Sequence, residues 1–255
     1  MKNYMILGNK ITAITIEQLN EEIKSIILNN GKELILHANI HGINLAERNI
    51  WLKKFRNEAK IVHCDGAGII LGLRILGIKI PSKIRITVHY WMWSLAYFCV
   101  LNNFSMYFLG GRPGITEQAA KNLRGSFSNL SIVGTHHGYF DKIGAESQDL
   151  VSAINKVKPD ILIVGFGMPI QEKWIKDNWK NIDTHVLVAG GGCFDFLSGI
   201  KPTCPEWLAG YGLEWLFRLI VEPRRLFTRY IFGNPLFLVR VILERLTGNY
   251  LIRKF

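Results

Sequence analysis

A chain of 255 residues, 49% of them hydrophobic and 20% charged, is long enough for one large domain or a domain with an appendage, and it can build a substantial core. That excludes a disordered protein. The formal net charge is +11, but residues 201–255 hold nine Lys/Arg against four Glu, a net of +5 that leaves +6 for the first 200 residues. Such a tail suits an anionic partner, whether nucleic acid, lipid headgroups or a phosphorylated substrate; the plainer alternative is a solvated basic face.

In chain order, MKNYMILGNKITAITIEQ offers neither a long apolar run nor a small-residue cleavage site, so it does not read as a signal peptide. TIEQLNEEIKSIILNN has helical apolar spacing, and ELILHA and KIVHCD read as strands. SMYFLGG, LSIVGT, DILIVGFG and THVLVAGGG are further strand candidates, with the amphipathic segments ITEQAAKNLRGSF and AESQDLVSAINKVK among them. Strand alternating with helix predicts an α/β fold, a mostly parallel sheet with helices on both faces, whose ligands bind beyond the carboxyl ends of the strands. After GGGCFDFLSG the pattern changes to consecutive helices punctuated by Gly210, Pro223 and Gly233-Asn234-Pro235. The expected boundary lies between residues 195 and 205, giving a catalytic domain over 1–200 and a basic amphipathic appendage over 201–255.

The four cysteines, Cys64, Cys99, Cys193 and Cys204, lack CxxC spacing and are expected as reduced core residues, which fits a cytosolic compartment. No run of 18 apolar residues occurs; YIFGNPLFLVRVIL is the nearest and is broken by Asn-Pro and Arg. A membrane, if met, is expected on one face only.

The candidate chemistry sits at strand ends. In HCDGAGII, Asp65 followed by Gly66 and Gly68 can project into a crevice and act as a general base on a hydroxyl, or it can simply make a turn hydrogen bond. In VGFGMPIQEKW, Gly165 and Gly167 precede Pro169, which suits a first helical turn. Gln171 and the free N–H groups there could face a phosphate, or the segment is a plain turn. GGRPG (Gly110, Gly111, Arg112) and AGGGCFDF (Gly191, Gly192, Phe194, Asp195) are glycine clusters suited to backbone contact with a nucleotide or sugar, or to turns. There is no P-loop, no GxSxG and no DxD pair, and the adjacent His136 and His137 are expected to point apart on an extended chain, so no metal site is expected. Without a metal, a departing diphosphate needs cationic side chains.

Taken together, CDGAGII, VGFGMPIQEKW, GGGCFDFLSG and GLEWLFRLIVEPRRLFTRY resemble the bacterial WecG/TagA/CpsF glycosyltransferase family over nearly the whole chain. The resemblance implies a Rossmann-like domain with a C-terminal helical appendage. It also implies metal-independent, inverting transfer of N-acetylmannosamine, N-acetylmannosaminuronic acid or a related hexose. The donor would be a UDP-sugar and the acceptor a polyprenyl-diphosphate-linked saccharide, at the cytoplasmic face of the inner membrane, with no cofactor. Asp65 matches the family's base, Gln171 its donor-side glutamine, and Arg218, Arg225 and Arg229 the appendage arginines that stabilise the leaving UDP. Asn39 matches a family asparagine, and a homo-oligomer is part of what the resemblance implies.

The chain also departs from the pattern. His37 stands where some members have Thr, and Val88 and Tyr90 replace a Gly-x-Asp. His137-Gly138-Tyr139-Phe140 replaces Asp-Gly-Tyr-Phe, which puts Gly138 and Tyr139 at the substrate surface, and Pro202-Thr203-Cys204-Pro205 replaces Lys-Arg-Ala-Pro. Aromatic residues interleaved with arginines in the tail suit docking on the body together with an anionic membrane surface. The competing classes are a basic nucleic-acid-binding protein, for which no module is recognisable, and a nicotinamide-dependent enzyme, for which no GxGxxG opens the first βαβ unit.

Overall fold

The computed structural model describes residues 1–248, so Arg253 and Lys254 of the basic tail lie outside the described residues. In chain order the first half comprises β1 (Lys2–Ile6), β2 (Asn9–Ala13), α1 (Ile16–Leu28), β3 (Glu33–Ala38), α2 (Ile40–Arg48), α3 (Ile50–Glu58), β4 (Ile61–Cys64) and α4 (Ala67–Ile75). There follow α5 (Val88–Asn102), β5 (Ser105–Gly110), α6 (Ile115–Ser126), β6 (Ser131–His136), α7 (Ala145–Val157), β7 (Ile161–Gly165), α8 (Ile170–Asn178), β8 (Val186–Ala189) and α9 (Cys193–Leu197). The tail holds α10 (Glu206–Gly210), α11 (Glu214–Val221), α12 (Pro223–Phe227), a π-helical turn (Thr228–Phe232) and α13 (Gly233–Thr247).

All six expected strands and the three expected helices form, and the fold is the anticipated Rossmann-like α/β class. Further elements are not announced by the sequence, among them α2, α3 and α4, the β1–β2 hairpin and α5. β1 and β2 are an antiparallel hairpin turned at Leu7 and Gly8, both at positive φ, where Leu-Gly replaces the familiar Asn-Gly signal. α5 carries apolar residues nearly all round, so no polar face reveals its period. Val88 and Tyr90 fall in its first turn.

The chain forms two compact units. The first comprises Met1–Thr15, His37–Thr87 and the chain from Pro202 on, so the helical tail belongs to it; the second comprises Ile16–Leu36 and Val88–Lys201. In the first unit β2 pairs with β1 and runs parallel to β4. α13 packs on α2 and α4, anchored by the fully buried Phe237 and Val241. Phe237 lies so close over Gly72 that a Cβ there would meet its ring at 2.9 Å. Polar ties run the length of the helix: Asn44 Nδ2 donates to Gly233 O at 2.8 Å, Leu7 N–H to Glu244 Oε2 at 2.9 Å, and Arg245 Nη1 to Ile75 O at 2.7 Å.

In the second unit the strands run parallel in the order β3-β8-β7-β5-β6. The chain steps outward from β5 to β6 and then returns through β7 to β8. Right-handed crossovers therefore place α6 on one face and α7 and α8 on the other, and in sheets of this kind ligands bind beyond the carboxyl ends of the strands. The core is deep: Trp91, fully buried, donates its indole N–H to Asn20 Oδ1 at 2.9 Å, and Trp174 donates to Ser147 Oγ at 2.8 Å. The four cysteines are free and buried, as expected.

Candidate active site

In the first unit a cavity of about 770 Å³ opens beyond the carboxyl end of β4. Asp65 stands in its wall because its N–H bonds to Ala38 O at 2.8 Å, which ties the end of β4 to the end of β3, and because Gly66, at φ 101, turns the chain into α4. Asn39 caps α2 by accepting from Gly42 N–H at 2.9 Å, which leaves its Nδ2 to donate to Asp65 Oδ2 at 3.3 Å. His37 Nε2 lies 4.0 Å from the same oxygen. His37 itself is buried at the end of β3, outside the cavity lining.

The helical tail supplies the facing wall. Arg218 and Arg229 line the cavity with Asp65; Arg225 does not, and pairs instead with Glu222. Arg229 Nε is buried without a partner among the described residues, and burial pushes its pKa down, helped by Arg218 and Arg225. Three further charged residues of the lining are not among those the sequence singled out: Arg74, Arg85 and Glu214. The charged lining residues are four arginines against two carboxylates, a surplus of two positive charges, since burial and then the nearby Arg229 and Arg225 push His41 down to about 4 and keep it neutral. Arg85 follows a 3₁₀ turn over Ser82–Ile84 and is joined to β4 through Ile86 N–H on Cys64 O, a long-range contact that no local pattern announces. A signal for Glu214 was present in the EWLFRL stretch, four residues before Arg218, but was read for its arginine alone.

In the second unit the strand-end glycines gather around one another. Gly110 pairs with Gly165, and a Cβ on Gly110 would meet the Gly165 carbonyl oxygen. A Cβ on Gly165 would stand 2.9 Å from Gly191 O and from the Phe194 ring, and one on Gly138 would stand 2.8 Å from Phe166. Gly111 N–H donates to Gly165 O at 3.2 Å, and Gly111 O accepts from Gly138 N–H at 2.8 Å. These glycines are needed first so that the loops can approach each other; Gly167 and Gly192 instead face open space. Pro169 immediately precedes α8, close to the expected helix start.

Gln171 is fully buried. It accepts Gly191 N–H at 3.0 Å and donates to Glu172 Oε1 at 2.9 Å, so its amide fastens the glycine loop after β8 to the start of α8. Phe194 is core, packed on Phe108 at 5.2 Å, and Asp195 pairs with Lys201. Arg112 and Tyr139 are exposed. His136 and His137 do not point apart: their ring centroids are 4.6 Å apart, because β6 ends at His136 and the chain turns there, with His136 Nδ1 2.8 Å from His137 O.

An arginine-rich cavity holding two carboxylates beyond the carboxyl end of a strand is a site suited to an anionic substrate and to proton transfer. The family model described as "Glycosyl transferase WecG/TagA/CpsF family" matches residues 4–250, and the chain belongs to that family. It is a glycosyltransferase, which sets aside the nucleic-acid and nicotinamide alternatives. Among its relatives, N-acetylglucosaminyldiphosphoundecaprenol N-acetyl-beta-D-mannosaminyltransferase of Staphylococcus aureus strain NCTC 8325 / PS 47 is 28% identical over 232 residues, 87% of this chain and 85% of the relative. The same-named enzyme of strain MRSA252 is similar to the same extent.

Proposed function

We propose that the chain transfers N-acetylmannosamine or a closely related sugar from a UDP-sugar to a hydroxyl of a polyprenyl-diphosphate-linked saccharide. Asp65 takes the proton of the acceptor hydroxyl, which attacks the anomeric carbon opposite the departing diphosphate, so configuration inverts in a single displacement. Arg218 and Arg229 stabilise the diphosphate in place of a divalent ion, with guanidinium forks that suit phosphate. Asn39 holds the Asp65 carboxylate. The open glycines of the second unit, Gly167 and Gly192, suit backbone contact with a nucleotide or sugar.

The observation that carries this reading is that a strand-end carboxylate and two arginines some 150 residues later in the chain line one cavity with a surplus of two positive charges, the complement of a diphosphate diester. The names of the S. aureus relatives favour the same sugar and acceptor class. Asp65→Asn is the test. Transfer, read as UDP release with a short-chain prenyl-diphosphate acceptor, is expected to fall by about 10²–10⁴ while donor binding persists; near-normal turnover removes Asp65 from the mechanism. Activity is expected to survive EDTA.

The enzyme is further proposed to sit peripherally on the anionic inner-membrane surface. Pro223–Thr247 is long and apolar enough to cross a bilayer by length and composition. The polar ties along α13 favour a helix lying against its own unit instead. Trp207, Ile220, Phe232 and Leu246 are each more than three-fifths exposed on the same arginine-bearing tail, an arrangement suited to interfacial insertion. Co-sedimentation with phosphatidylglycerol vesicles is expected, and to be weakened in Ile220→Glu/Phe232→Glu; unchanged binding by that variant sinks the assignment.

A further inference from the structure

Glu214 has no part in the chemistry above, yet it lies in the same cavity with only 12% of its side chain exposed. It begins α11, one turn before Arg218, whose Nη1 is 3.9 Å from its Oε1. From the segment ahead of α5 it meets the Thr87 hydroxyl and the charge of Arg85; from the end of β4 it meets Asp65; ahead of α10 lies Cys204, whose thiol is pushed up by burial first and then by Glu214. Arg85 in turn donates from Nη2 to Ala209 O at 3.2 Å. A carboxylate so placed shares its two guanidiniums with whatever anion enters the cavity.

We propose that Glu214 is a proton-coupled counter-ion: it balances Arg218 and Arg85 while the cavity is empty of anion, and takes a proton from solvent when a diphosphate draws Arg218 away from it. The inference rests on the diphosphate reading of the cavity. Its physical basis is competition. An incoming phosphate competes with Glu214 for Arg218 and adds negative charge beside a group already close to Asp65 and shielded from water, and each of these changes favours the neutral carboxyl. Burial first, then Asp65, already push its pKa up, opposed by Arg218, Arg85 and Thr87. The step is a plain protonation, with one O–H bond formed and the proton supplied by bulk water.

The test uses UDP-N-acetylmannosamine without acceptor, a diphosphate diester that does not itself titrate near neutrality. Calorimetry in buffers of different ionisation enthalpy reads the protons taken up per bound ligand. The expected result is uptake confined to the pH window between the titrations of Glu214 in the free and the ligand-bound protein, with affinity rising by up to roughly tenfold per pH unit as pH falls through that window. In Glu214→Gln both the uptake and the pH dependence of affinity are lost. Thr87→Val, a near-isosteric change that removes a bond to the charged form, moves the uptake window to higher pH and serves if Glu214→Gln does not fold. Ligand that fails to bind overturns the diphosphate reading itself. Binding without uptake, uptake that persists in Glu214→Gln and so belongs to Asp65 or His41, or a window unmoved in Thr87→Val overturns the role of Glu214 alone.

Discussion

The two units handle the strand end differently. In the first, the residues beyond β4 and on the helical tail are charged side chains projecting into a cavity. In the second, the residues beyond β5, β7 and β8 are glycines whose backbones touch. Side chains can carry a proton or a full positive charge but must be held in place by partners such as Asn39 on Asp65. Backbone loops carry no charge to move, and their cost is steric: Gly110, Gly138 and Gly165 have no room for a Cβ. The first unit thus concentrates the chemistry, and the second is built for close approach.

The contrast can be broken at several points. Asp65→Asn should have the largest effect, the two to four orders of magnitude in rate given above, with little change in stability because the carboxylate is only partly buried. A comparable free energy, but in stability instead of rate, is expected of Phe237→Ala: deleting a fully buried ring should cost about 3–5 kcal/mol in urea unfolding and loosen α13 from α2 and α4. If Phe237→Ala unfolds like the parent, the tail's docking rests on its polar ties instead.

Gly165→Ala sharpens the steric half of the comparison. Its Cβ would press on the Gly191 carbonyl oxygen, and backbone does not yield as a flexible side chain does, so a loss of about 1–3 kcal/mol is expected in the urea midpoint. Gly192→Ala is its control, with ordinary negative φ and open space around the new methyl. Its stability should stay within about 0.5 kcal/mol of the parent, so any loss of donor affinity there reports a ligand lying against the loop.

Between these lies a pH effect. Burial above all pushes His63 down to about 3, so it stays neutral in the folded chain while the unfolded histidine titrates near its ordinary 6.5. Between those values the unfolded state binds more protons, so stability is present above about pH 6.5 and is lost as pH falls toward 3, by about 1 kcal/mol per pH unit. A flat urea midpoint from pH 7 to 5 would contradict it. His63→Leu should flatten the slope if it folds.

Much of this was legible in the residues. Six strands and three helices announced themselves through apolar period, and Asp65 stood out as a carboxylate at a strand's end before glycine. α5 was hidden because a helix apolar on nearly every side has no period to read, and the β1–β2 hairpin because Leu7 adopts a turn conformation that its side chain does not advertise. Gln171 shows the limit for single residues. Its place near the loops followed from its motif, but its full burial between Gly191 and Glu172 followed from packing.

The sequence by itself determined the α/β class, the change to helices after residue 200, the basic character of the tail and the family to which the chain belongs, because each is a matter of composition, period or motif order along the chain. Only the tertiary structure decided that Arg218 and Arg229 share a cavity with Asp65 while Arg225 turns to Glu222, and that Arg74, Arg85 and Glu214 join them. Those contacts join positions as far apart as Asp65 and Arg229, and which side chains meet there depends on how the tail docks through α13 on α2 and α4, a packing decision that no local pattern records.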